Sequence, residues 1–239
     1  MRAKLDISLE SPERYHLQLD AHTRGFLGRI VPWEGTFQTK GWRLRDGERP
    51  EQHKSIATFR NDEDIKRYHY GRDGSFRKLE IVENGKSKPQ NDLEKELVQG
   101  TTDVLTATLN ILNNVAYNNS CEGSAEVFDG KRRFELVFRE KGTETLKSNR
   151  YNIFDGDAIE CEVEVVPVAG AWHSRPRGWA SIQEQGREKG SLPTVWLAQM
   201  DDKGPAIPVK MRVKTDYGVL FMHLIGYKNG TKQLGVVDG

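Results

Sequence analysis

The 239-residue chain is short of several things at once, and each shortage removes a class of function. It has only two cysteines, Cys121 and Cys161, and neither stands in a CxxC or a histidine-paired metal spacing. Two readings of the pair stay open at this point, a structural disulfide or two inert buried thiols. Charge of one sign is lacking too: 36 Lys and Arg face 35 Asp and Glu, with no basic field, so nucleic acid is not expected as a partner. No long hydrophobic run exists. The longest, Val219 to Tyr227, is broken by His223 and falls far short of the roughly 20 residues that span a bilayer. The start, Met1-Arg2-Ala3-Lys4, has no apolar signal region, so the chain is expected to be either cytosolic or a mature or trimmed form.

Catalytic sets are also missing. No GxSxG elbow occurs, and Cys121 leads into Glu122-Gly123-Ser124 with no histidine nearby, so no catalytic residue is nominated and the chain reads as a non-enzyme. The histidines, at 16, 22, 53, 69, 173 and 223, are scattered outside metal-binding spacings. The carboxylates of Asp62-Glu63-Asp64 and Asp155-Gly156-Asp157 do not follow a calcium loop. Neither metal nor cofactor is expected. His223 stands apart because an unpaired imidazole in so apolar a segment is costly. It reads as a satisfied structural residue, with a general base as the alternative.

What the chain does have is alternation. Ala3, Leu5, Ile7 and Leu9 alternate with polar residues, and after the Ser11-Pro12-Glu13 turn Tyr15, Leu17, Leu19 and Ala21 do the same, so the first two strands read as a hairpin. The same period returns around Phe134 to Phe138, Cys161 to Val165 and Val209 to Val213. Asp46-Gly47, Asp73-Gly74, Asn84-Gly85, Asp129-Gly130 and Asp155-Gly156 supply turn chemistry, which makes the strands antiparallel. Only Thr102 to Val115 has helical spacing, with Thr102 or Asp103 as its cap. Pro89 to Gly100 and His173 to Leu192 lack either period and read as loops, and patterned segments resume after each. The expectation is one domain over residues 1–239: a single strongly curved antiparallel sheet of roughly ten strands with one packed helix.

Both faces of Val219 to Ile225 are apolar, which predicts a strand covered on two sides. Gly25 to Trp33 resembles neither a strand nor a capped helix; it reads as a loop over the sheet end or as a flap on an apolar site. Phe26, Leu27, Trp33, Phe37, Trp42, Phe221 and His223 are the candidate ligand-binding residues, since large rings wall most small-molecule pockets. Trp172 and Trp196 either join them or belong to the core.

The run Asp103-Val104-Leu105-Thr106-Ala107, then Cys121, the block Asp129-Gly130-Lys131-Arg132-Arg133, Cys161, Val168-Ala169-Gly170 and Pro208-Val209-Lys210-Met211 together resemble a bacterial family of unknown function common in alphaproteobacteria. The resemblance covers nearly the whole chain. It implies a periplasmic location and, in that oxidising compartment, a Cys121–Cys161 disulfide. Members usually show one more strand before the equivalent of Arg2-Ala3-Lys4-Leu5, and its lack here leaves an edge where pairing with another chain is expected. In plan the family is similar to periplasmic carriers that ferry lipoproteins on a curved sheet, which is a likeness of fold and not of function. The function expected is envelope maintenance by binding an apolar or amphipathic partner such as a lipid, a lipoprotein acyl chain or a peptide. An envelope scaffold with a filled core is the alternative, and a hydrolase built on His223 a more distant one.

Overall fold

The computed structural model describes residues 1–30, 32–89, 93–172, 191–202, 204–215 and 218–235. The chain divides into two compact units: Met1–Asn110 with Ala125–Phe134 and Pro167–Ala171, and Ile111–Ser124 with Glu135–Val166 and Trp172–Gly239. It is mainly β and antiparallel, but among the described residues the strands form three sheets of seven, six and two strands, where the expectation is a single curved sheet.

The seven-stranded sheet is a meander in chain order: β1 (Arg2–Ser11), β2 (Arg14–His22), β3 (Trp33–Leu44), β4 (Gly47–Phe59), β5 (Asp62–Tyr70), β6 (Phe76–Glu83) and β7 (Lys86–Lys88). The first hairpin pairs Leu5 with Leu19 and Ile7 with Leu17, so the alternation read from sequence selects the face that packs. At the β6–β7 turn Asn84 and Gly85 both take positive φ, 49° and 75°, the backbone that a two-residue hairpin requires. Between β2 and β3 lies a six-residue helix, α1 (Gly25–Ile30), where sequence suggested only a loop or flap. A segment this short shows too few turns for a helical period to be read.

Pro89 to Gly100, expected as a loop, contains a four-residue helix, α2 (Lys95–Val98). Its neighbourhood is apolar: Leu93, Leu97 and Val98 pack on Tyr68, Tyr70, Leu79 and Phe128. The expected helix is present as α3 (Val104–Asn118), slightly longer than its apolar stripe. Leu105 and Leu109 of α3 bury against Tyr15 and Leu17, with Ile7, Leu19 and Phe37 around them. Burying leucines of this kind supplies about 2 kcal/mol each, which is what holds a marginal isolated helix in place.

A close approach in this unit permits only glycine. A Cβ at Gly41 would lie 2.2 Å from the Arg49 carbonyl oxygen and 2.5 Å from the Tyr15 hydroxyl. Gly41→Ala is therefore expected to destabilise the protein by about 2 kcal/mol or more, because the obstacle includes backbone that cannot swing away. A urea midpoint unchanged from wild type would contradict this.

The second sheet runs β13 (Gly218–His223), β12 (Ile207–Thr215), β11 (Thr194–Ala198), β10 (Gly156–Gly170), β9 (Arg132–Leu146) and β8 (Gly123–Phe128), and β14 (Gly226–Asn229) pairs with β15 (Lys232–Gly235). The second unit's core gathers Leu146, Phe154, Ala158, Trp196, Ala198 and Val209. Trp196 thereby joins the core. β13 corrects the expectation of a doubly covered strand: it is an edge strand, and Val219, Leu220 and Phe221 are 46%, 50% and 51% exposed. The 173–190 part of the expected loop His173 to Leu192 lies outside the described residues.

Candidate functional site

The helix start brings together the first unit's buried polar side chains. Thr39, Thr106 and Asp103 are 0%, 0% and 1% exposed, and His53 is 5% exposed. Asp103 caps α3: its Oδ1 accepts from the backbone N–H groups of Leu105 at 3.0 Å and Thr106 at 3.2 Å. The same carboxylate accepts the Thr39 hydroxyl at 2.8 Å on Oδ1 and the Thr106 hydroxyl on Oδ2.

These bonds fix the protons. With the Thr39 hydrogen committed to Asp103, the 2.7 Å contact between Thr39 Oγ1 and His53 Nδ1 needs the imidazole N–H as donor. The Thr106 hydrogen is likewise committed, so the Tyr15 hydroxyl donates to Thr106 Oγ1 at 2.7 Å. His53 Nδ1 also lies 3.2 Å from Asp103 Oδ1. Burial alone would raise the Asp103 carboxyl, yet the facing His53 and the bonds from His53, Thr106 and Thr39 outweigh it and hold the group below the ordinary carboxylate range. Burial first, and then the Asp103 charge, pushes the Tyr15 phenol upward. The set contains a His–Asp pair beside two hydroxyls, the ingredients of a nucleophilic centre. Buried as it is, the set latches the start of α3 to the sheet through β2, β3 and β4.

A partly covered apolar surface lies on the same face of that sheet. Opposite residues of neighbouring strands share a face, and the register places Ala3, Ala21, Gly35 and Ala57 in one row across β1 to β4. The next row is Leu5, Leu19, Phe37, Ser55 and Lys66. Trp33 and Phe37 flank Gly35 so closely that a Cβ there would lie 2.8 Å and 2.9 Å from their rings. Trp33 is also paired with Phe59, which is 42% exposed. Leu5, Leu19, Phe37 and Trp33 are half-buried. The result is an apolar shelf in which Ala21 and Gly35 are buried beside those rings while Ala3 and Phe59 stay exposed.

Of the residues nominated from sequence, Trp33 and Phe37 meet on this shelf. Trp42 lies on the opposite face, opposite Arg14, whose guanidinium sits 5.4 Å from its ring centre. Phe26 and Leu27 fall in α1, and their side chains lie outside the described part of the structure. Phe221 and His223 belong to the second unit, on β13, with ring centres 6.0 Å apart. Burial, and then Lys210, lowers the His223 imidazole. A hollow of about 250 Å3 opens in the first unit between Pro12, Arg43, Leu44, Arg45 and Glu48, a largely polar lining that includes none of the nominated residues.

Sequence reasoning offered Thr102 or Asp103 as the cap, of which the structure selects Asp103, and it missed the partners of that carboxylate. His53 and Thr39 are 50 and 64 positions away in the chain, and only the fold reveals the connection. Lys66 was missed as well. The stretch Asp62 to Arg67 shows little alternation, so nothing in it marks Lys66 as facing the shelf.

The class defined by these features is a mainly β, antiparallel protein in which the longest helix among the described residues is latched to a meander by a buried carboxylate. The chain matches the family described as "Protein of unknown function (DUF3108)" over residues 1–225, and it belongs to that family. No curated protein and no solved structure matches it. Among the described residues no helix is long and apolar enough to cross a membrane.

Proposed function

We propose that the protein is a non-enzymatic carrier or holder of an apolar or amphipathic ligand, an acyl chain above all, seated on the shelf of the seven-stranded meander. The observation that carries the reading is the half-buried apolar row Leu5, Leu19 and Phe37 beside a row of alanine and glycine. Ala3 and Phe59 stay exposed at the edges of the shelf, and apolar surface of this kind marks binding sites. In this reading the meander with α3 against it plays the part of the curved sheet of lipoprotein carriers. The compartment is the periplasm, which the Cys121–Cys161 disulfide supports. The role is cell-envelope maintenance.

The test uses the neutral fluorescent probe N-phenyl-1-naphthylamine with the whole chain and with Ala57→Glu, which sets a charge on the shelf. Wild type is expected to bind the probe, and Ala57→Glu to lose most of that binding with its circular dichroism unchanged. Wild type that leaves the probe dark, or a variant that binds as well as wild type, would remove the shelf from consideration.

A further inference from the structure

We propose that the ligand of the shelf is a long-chain carboxylate, lying along the row from Leu5 to Phe37 with its head group on Lys66. The inference rests on the shelf being the binding surface, and it adds the chemistry of the head and the direction of the chain.

The row Leu5, Leu19, Phe37, Ser55, Lys66 is apolar at its start and cationic at its end, because successive pairings put all five side chains on one face. Four interstrand steps of ~4.8 Å separate β1 from β5, so the row is about 19 Å long, a span that suits a long acyl chain and not a short acid. Lys66 is half-buried, and its ammonium donates to the Asp129 carbonyl oxygen at 2.9 Å, which leaves two donors for a ligand.

The carboxylate nearest to hand is already engaged. Asp129 Oδ1 accepts the backbone N–H groups of Lys131 at 3.0 Å and Arg132 at 2.8 Å, while Oδ2 accepts Arg132 Nε at 2.7 Å. The turn that carries it is pressed against the lysine: a Cβ at Gly130, where φ is +94°, would lie 3.3 Å from Lys66 Nζ and 3.0 Å from the Tyr68 hydroxyl. Lys131 is exposed on the same turn and adds a second cation. Burial depresses the Lys66 ammonium; Asp129 and the exposed Asp64 oppose the shift, and Lys131 and Arg132 add to it. Among the described residues Lys66 forms no ion pair with a carboxylate, and a half-buried ammonium in that position costs free energy that an incoming anion recovers. With Asp129 and Asp64 offsetting two of the three cations, the head called for is singly charged.

The experiment displaces the neutral naphthylamine probe with myristate and with tetradecanol, which share a chain and differ in the charge of the head. Wild type is expected to prefer myristate by about tenfold, the size of one charge-assisted hydrogen bond. Lys66→Met should bring the two ligands level by weakening myristate alone, and Lys131→Gln, on an exposed turn position, should reduce the preference in part. Equal binding of the two by wild type would overturn the head-group assignment while leaving the shelf intact. A preference that survives in Lys66→Met, or in Lys131→Gln should the first variant fail to fold, would also overturn it. Displacement by neither ligand from a protein that binds the probe would reject the long-chain carboxylate, and failure to bind the probe at all would reject the shelf as well.

Discussion

Replacing Asp103 by alanine is expected to cost about 3–5 kcal/mol of folding stability, enough to leave a typical domain of this size marginal or unfolded. The loss has two parts. Removing the cap leaves the first N–H groups of α3 unpaired, worth about 1–2 kcal/mol. It also strands the hydroxyl protons of Thr39 and Thr106 and the imidazole of His53 in a region that is 0–5% exposed, and each orphaned donor there costs about 1 kcal/mol or more. Asp103→Asn keeps an acceptor at the cap and should lose much less. The pH dependence separates charge from cap. The folded carboxyl sits below its ordinary range, so the unfolded chain takes up the proton first as the medium is acidified. The charge contribution is complete at neutral pH and fades as pH falls below about 4, through the folded value. In urea titrations the gap between wild type and Asp103→Asn should therefore narrow at low pH. A gap that stays constant down to acid unfolding would mean that the carboxylate charge contributes nothing.

Local structure was far more legible in the sequence than its assembly, and the reason differs from element to element. The β1–β2 hairpin is fixed by neighbours in the chain: alternation on each side of Ser11-Pro12-Glu13 states which residues share a face, and the register follows. The same holds for α3, whose apolar stripe and capping aspartate lie within one segment. Period 2 is silent about which sheet a strand joins, and so a chain whose described strands lie in three sheets reads as one sheet of roughly ten strands. The Val219 to Ile225 segment misled for a related reason. Two apolar faces imply cover on both sides only if a strand is central, and β13 is an edge. At the shelf, Trp33 and Phe37 were legible as large rings. Ala21, Gly35 and Ala57 were not, because a surface built from small side chains carries no signal until neighbouring strands are set side by side. His53 and Lys66 look like ordinary strand polar residues for the same reason.

The Cys121–Cys161 bond is expected to carry about 4 kcal/mol, so Cys121→Ala with Cys161→Ala should lower the urea midpoint strongly without altering the denaturant slope by more than the loss of a cross-link explains. The two cysteines are 40 positions apart, and closing a loop of that length removes about 4 kcal/mol of chain entropy from the unfolded state. Their placement makes the constraint useful. Cys121 follows the end of α3 by three residues and Cys161 lies within β10, so in the second unit the bond ties the exit of the helix to an interior strand of the sheet. Both residues are 0% exposed. Reductants then reach the bond only when the unit opens, and reduction of native protein should proceed at an opening rate and not at the rate of an exposed disulfide. Denatured, non-reduced protein should show no titratable thiol and a mass two hydrogens below the reduced chain. Two free thiols under those conditions, or a double variant as stable as wild type, would show that α3 and β10 are held by packing alone, and would take away the main support for an oxidising compartment.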